Sequence, residues 1–244
     1  MLQIMLISTA AGLATGLGGL LVLFFGRPSA KLLSSMLGFA AGIMLAISSF
    51  DLMPEAIEMG GLLIAIIGFL LGAGLMYLLD IIVPHIHMGS GEGEGAPDYD
   101  QSKMLKLGYF IFFGIALHNL PEGLAIGAGY SASIRLGAAI AIALALHNVP
   151  EGMATAAPLI GGGMSKLKAI GLTTLAGLMT PVGTGIGLAL TSISSQFIGL
   201  FLALAAGAMV YIVSDELIPQ SHAFHSHLAN AGLLSGFLLG MVIA

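Results

Sequence analysis

Apolar residues run along this chain in long blocks separated by short polar breaks. Eight blocks approach or exceed the length of about 20 residues that a helix needs to cross a bilayer. They cover approximately residues 2–25, 34–58, 61–83, 105–130, 134–157, 167–191, 197–220 and 229–244. Turn residues punctuate them, with Arg27-Pro28 after the first, Gly60-Gly61 after the second and Gly161-Gly162-Gly163 after the fifth. The pattern predicts an all-α polytopic membrane protein, a single transmembrane domain over residues 1–244 with eight spanning helices. Residues 84–104 are the one sizeable polar stretch. They carry His85, His87 and a Gly/Glu/Ser run too poor in apolar surface to order itself, and predict a flexible loop. Met1-Leu2-Gln3-Ile4 lacks a basic n-region, so residues 2–25 are expected to be a mature helix rather than a cleaved signal.

Two stretches repeat one another. Residues 40–54 read AAGIMLAISSFDLMP and residues 205–219 read AAGAMVYIVSDELIP, with identities at eight positions from Ala40/Ala205 to Pro54/Pro219. They belong to helices 2 and 7, which cross in opposite senses. Similar sequence in opposite topology is expected of an inverted repeat, here helices 1–3 and 6–8 arranged around the helix 4/5 pair. Chance likeness between two Ala/Gly-rich helices is the alternative. Basic loop residues set the orientation. Arg27, Lys31, Lys103, Lys106, Lys166 and Lys168 fall in odd-numbered loops and only Arg135 in an even one, which predicts cytoplasmic odd loops and both termini outside.

Composition agrees with the periodicity. Hydrophobic residues make up 57% of the chain and charged residues 8%, with mean hydropathy +1.04; soluble domains carry about 25% charged residues. The lipid bilayer is therefore the expected surrounding. No cysteine is present, which removes disulfides and thiolate ligands and leaves His, Asp, Glu, Asn and Met as possible metal ligands. No basic tract suggests nucleic acid as a partner.

The chemistry concentrates in a hexapeptide that occurs twice. His118-Asn119-Leu120-Pro121-Glu122-Gly123 recurs as His147-Asn148-Val149-Pro150-Glu151-Gly152, each within an apolar block. Ionisable groups at mid-membrane cost about 2.5–3.5 kcal/mol each on insertion scales, so their presence there marks function. On a helix, residues four apart share a face. His118 and Glu122 therefore project together, as do His147 and Glu151. Two imidazoles and two carboxylates converging from antiparallel helices suit Zn2+ or another borderline divalent ion. Asn119 and Asn148, about 100° round from the histidines, offer oxygens to a second adjacent ion that the glutamates would bridge. Pro121 and Pro150 each free a backbone carbonyl, which is tolerated only beside a cavity or packed protein. Gly123 and Gly152 permit close helix approach. The bland alternative is that each histidine is a satisfied buried polar group bridging helices. The zinc-protease pattern H-E-x-x-H is absent.

The hexapeptide pair, the eight helices and the histidine-bearing loop between helices 3 and 4 resemble the ZIP (Zrt/Irt-like) divalent metal transporters, in their bacterial zinc-uptake branch. The resemblance implies a secondary transporter in the bacterial cytoplasmic membrane with Zn2+ as cargo and no resident cofactor. It also implies a homodimer and an elevator-like movement of the helix 4/5 bundle. By resemblance, His118, Glu122, His147 and Glu151 form the primary site, and Asn119 and Asn148 belong to a second site that shares both glutamates. Family members with two filled sites carry a further Glu on helix 6; that position is Thr180 in Gly177-Leu178-Met179-Thr180-Pro181. A hydroxyl replaces a carboxylate poorly, so the second site is expected to be weak. Met44 is a further ligand by resemblance, with core packing as the alternative.

Carboxylates mark the approaches. Met44, Asp51, Glu55 and Glu58 on helix 2 are spaced as one helical stripe. Asp51 and Glu58 are the entrance candidates, gathering cations from outside; for Glu58 the alternative is a solvated helix end. Asp215 and Glu216 mirror them on the exit side. His85, His87, His222, His225 and His227 in cytoplasmic loops suit reversible Zn2+ binding or sensing, although surface histidines without a role are common. Fe2+, Mn2+, Co2+ and Cd2+ are further possible cargoes, since His/Glu ligands admit all of them. The rival readings are a metal-dependent intramembrane hydrolase, which would need a base distinct from the ligands, and a non-transporting metal sensor.

Overall fold

The computed structural model describes residues 1–26, 28–82, 101–192 and 194–244. Their regular structure is helical throughout, with no strand among the described residues. Among the described residues, eight helices are long and apolar enough to span a membrane. They are α1 (Leu2–Phe25), α2 (Ala30–Gly60), α3 (Leu62–Ile81), α4 (Met104–Ala132), α5 (Ile134–Gly161), α6 (Lys166–Thr191), α7 (Gln196–Ala223) and α8 (His225–Ile243). The fold class read from hydropathy is the one observed.

Two expected loops are corrected. Helical conformation begins at Gln101, so the end of the expected 84–104 loop is the first turn of the helix that continues as α4. A helix projecting past the apolar layer carries polar residues, and composition does not distinguish it from a loop. His85 and His87 lie outside the described residues. The expected seventh loop is instead a break in the helical path at His225 (φ −170°, ψ 99°), with helix on both sides. Its polar groups have partners: Ser34 donates to the carbonyls of Ser221 and His225. His222 lies 2.9 Å from the Ile218 carbonyl and 3.1 Å from the Asn230 side-chain oxygen. His222 and His225 are thus partly buried at a helix junction, and His227 is exposed.

Helices α2 and α7 each contain a five-residue π-helical segment, Ser48–Leu52 and Val213–Leu217. The two occupy the same positions of the repeated sequence, and a proline (Pro54, Pro219) follows each by two residues. A proline lacks the N–H for the usual bond and crowds the carbonyl four residues back, so the helix widens there. The widening is closed by the N–H of Met53 donating to the Ser48 carbonyl and that of Ile218 to Val213. The extra residue per turn rotates everything beyond it. Met44, Asp51, Glu55 and Glu58 therefore do not share the single stripe expected of a regular helix.

The helices pair as α2 with α8, α3 with α7, α1 with α5, and α4 with both α5 and α6. Exchanging α1 with α6, α2 with α7, α3 with α8 and α4 with α5 leaves this set unchanged. The crossings are close because small residues meet there. A Cβ on Gly123 would overlap the Thr180 carbonyl oxygen, and one on Gly152 the Thr15 carbonyl oxygen. Thr15 and Thr180 stand in matching stretches, Ala11-Gly12-Leu13-Ala14-Thr15 and Ala176-Gly177-Leu178-Met179-Thr180. In α6 the helix breaks at Leu178 into Lys166–Gly177 and Met179–Thr191, beside Gly177, whose carbonyl four residues before Pro181 is the one a proline ring crowds.

Candidate metal centre

His118 is the middle residue of α4, and His147 one of the two middle residues of α5. Both histidines, both glutamates and both asparagines of the repeated hexapeptide are at most 1% exposed. The imidazoles and carboxylates pair across the two helices rather than along them. His118 Nε2 lies 3.1 Å from Glu151 Oε2, and His147 Nε2 lies 2.9 Å from Glu122 Oε1. The same-helix pairs, His118–Glu122 and His147–Glu151, stand at 3.9 Å each. One ligand atom from each of His118, Glu122 and Glu151 falls within 4.8 Å of the others, and the hydrogen bond of His147 to Glu122 and its 3.9 Å approach to Glu151 place it in the same cluster. All four groups read from the sequence as one site are brought together.

Packing and backbone fix their orientation. Nδ1 of His147 lies 3.2 Å from the Ala143 carbonyl; an N–H donated there leaves Nε2 as the ligand atom, the usual outer-shell arrangement of a metal-binding imidazole. His118 Nδ1 is buried without a partner, as are Glu122 Oε2 and Glu151 Oε1. Buried polar atoms are rarely left unpaired, and here unused carboxylate oxygens flank the cluster.

The asparagines do something the sequence reading did not anticipate. Asn119 donates its amide N–H to the Ala176 carbonyl of α6 at 3.0 Å, and Asn148 donates to the Ala11 carbonyl of α1 at 2.9 Å. Each amide ties one site helix to its crossing partner and leaves Oδ1 buried and unpaired. Thr15 Oγ1 and Thr180 Oγ1 are likewise buried and unpaired. Thr15 was missed by sequence reasoning. Its signal was the match between Ala11–Thr15 and Ala176–Thr180, which extends the repeat into α1 and α6.

The site opens unequally. A narrow cleft of about 20 Å³, room for a single water, touches His118 and Glu151 and is lined further by Phe110, Ile115, Glu216 and Gln220. Gln220 is a second residue the sequence reading passed over. Asp215, beside Glu216, is partly buried with Oδ2 unpaired. At the opposite end a separate cavity of about 300 Å³ is lined by Asp51, Glu55, Ser133 and Arg135 and does not reach the histidines. Asp51 and Glu216, equivalent positions of the repeat, thus line the two openings. Glu58 is exposed and outside the larger cavity, while Glu55 lines it. Met44 is 1% exposed within the apolar core.

Residues 89–244 match the model of a family described as ZIP Zinc transporter. Similar curated proteins include the zinc transporter ZupT of Akkermansia muciniphila, 35% identical over 99% of this chain and 96% of its own length. The ZupT of Corynebacterium glutamicum is 38% identical over 93% of this chain and 92% of its own. That of Chlorobium limicola is 39% identical over 95% and 91%. With a family match over most of the residues and relatives aligned across more than nine-tenths of the length, the chain belongs to the ZIP zinc transporter family.

Proposed function

We propose that this protein is a secondary transporter that imports divalent metal cations, Zn2+ foremost and Fe2+, Mn2+, Co2+ or Cd2+ as further cargoes, into the cytoplasm. The observation that carries this reading is the cross-paired His/Glu cluster at the middle of α4 and α5, with a cleft that touches His118 and Glu151. His118, Glu122, His147 and Glu151 are the primary ligands. Two carboxylates offset the charge of the ion where hydration is lost, and the imidazole nitrogens replace lost water. Asn119 and Asn148, with Thr15 and Thr180, supply neutral oxygens to a weaker second position; no carboxylate beyond the shared glutamates strengthens it. Met44 is a further ligand candidate carried by the family resemblance.

Transport proceeds by alternating access. Ions arrive past Asp51 and Glu55, with Glu58 at the outermost turn, and leave past Glu216, Asp215 and Gln220 toward the histidine-bearing segments. The exchange symmetry of the helix pairs and the matched π-helical segments support the inverted-repeat arrangement that such a cycle uses. The chain lies in the cell membrane with odd-numbered loops in the cytoplasm, since basic residues cluster at the starts of α2, α4 and α6. A homodimer is proposed on the family resemblance; α3, with Leu63, Ile66 and Leu70 exposed, offers a face to lipid or to a second copy.

Sided labelling tests orientation and direction together. The chain has no cysteine, so single introduced thiols report cleanly. Ile134 is 79% exposed at one end and Leu167 81% exposed at the other. In intact cells, an impermeant maleimide should label Ile134→Cys but not Leu167→Cys, and the same cells should accumulate zinc from the medium. The reverse labelling pattern, or zinc loss on expression, contradicts the import reading.

A further inference from the structure

We infer that Arg135 tunes the affinity of uptake, a tethered cation that restrains how tightly the outer carboxylates hold an arriving divalent ion. The inference rests on the import reading above. Among the described residues, Arg135 is the one Lys or Arg at its end of the molecule; Lys31, Lys106, Lys166 and Lys168 belong to the first turns of α2, α4 and α6. It stands in the first turn of α5 and lines the 300 Å³ cavity together with Asp51, Glu55, Ser133, Ala139 and Ala244. Its charge acts on the carboxylate of Asp51, whose Oδ2 has no hydrogen-bond partner. Arg135 Nη2 donates to the Ala244 backbone oxygen at 3.2 Å, which anchors the guanidinium at the rim of the cavity.

The cavity and the metal centre share α5: Arg135 and Ala139 line the cavity, and His147 follows Arg135 by twelve residues on the same helix. At 1.5 Å per residue the Arg135–His147 distance along the axis is about 18 Å. A cavity of about 300 Å³ holds roughly ten waters at about 30 Å³ each. An arriving ion therefore keeps its hydration there and feels the walls through charge rather than ligation. Two carboxylates alone would concentrate the ion and also retain it. A fixed positive charge lowers that attraction, leaving a vestibule that gathers cations without trapping them. Because the interaction runs through water, salt should screen it.

The test is the initial rate of zinc uptake into proteoliposomes at low and high ionic strength. Arg135→Gln should lower the half-saturating zinc concentration by about threefold to tenfold at low salt. The shift should fall below about twofold when the screening length shrinks to a few ångströms. Arg135→Lys should keep the parent values, and Asp51→Asn should move half-saturation the other way. Arg135→Met serves as a second neutral variant if Arg135→Gln folds poorly. Parent-like half-saturation in both neutral variants at low salt would overturn the role, as would Arg135→Lys behaving like Arg135→Gln. Failure of the parent chain to take up zinc would sink the import reading itself, which keeps the two failures distinct.

Discussion

A His118→Ala/His147→Ala double variant, reconstituted into proteoliposomes, moves zinc slower than the parent chain by on the order of 100-fold or more at equal metal concentration. The expectation follows from what each imidazole does. Each Nε2 meets the glutamate of the opposite helix, at 3.1 Å for His118 and 2.9 Å for His147, so each histidine both supplies a ligand atom and holds a carboxylate in place. Removing both leaves Glu122 and Glu151 buried together without their partners, where an uncompensated buried charge is costly. Even a single outer-shell group supporting a metal ligand is worth 10- to 100-fold in affinity or activity. Two direct ligands cannot be worth less if they carry the ion. Undiminished transport by a correctly folded double variant would remove these residues from the pathway.

The second large effect is structural. Gly152→Ala should lower the apparent thermal midpoint of the detergent-solubilised protein by about 5 °C or more, an overpacking cost of about 1–3 kcal/mol at this size. An added methyl there overlaps the carbonyl oxygen of Thr15, and backbone cannot rotate aside as a side chain does. The matched change Gly123→Ala meets the Thr180 carbonyl and should behave alike. Gly171→Ala is the control, since no atom lies within 4 Å of its added Cβ. Equal midpoints for Gly152→Ala and Gly171→Ala would show that the α1–α5 crossing is looser than described. Prising that crossing apart also strains the Asn148–Ala11 bond, so transport should fall with stability.

What the sequence revealed, and what it hid, follows from the scale of each signal. Spanning helices are long and apolar, and the bilayer admits little else; the first was read at the very residues observed, Leu2–Phe25. The His/Glu cluster was legible because i, i+4 spacing fixes a shared face and because charges in apolar blocks are conspicuous. Helix ends were not legible where polar residues continue a helix beyond the apolar layer, as at Gln101 and His222. The π-helical segments left only their prolines as a trace, since one extra residue in a turn barely alters periodicity. Asp51 and Glu55 line the larger cavity and Glu58 lies outside it, a division that the carboxylate spacing alone did not reveal. Asn119 and Asn148 were read for their oxygens, yet their N–H groups bond the neighbouring backbone; sequence specifies an amide but not which end faces the gap. Thr15 needed alignment of α1 with α6, a match too short to stand out until the crossings placed both threonines beside the site.

Anomalous diffraction from crystals grown with zinc tests the central assignment most directly. The account predicts a strong zinc peak between α4 and α5, within about 2.0–2.2 Å of Nε2 of His118 and of His147 and of a carboxylate oxygen from each of Glu122 and Glu151. Zinc bound elsewhere, with the His118–Glu151 and His147–Glu122 bonds left intact around an empty centre, would contradict it.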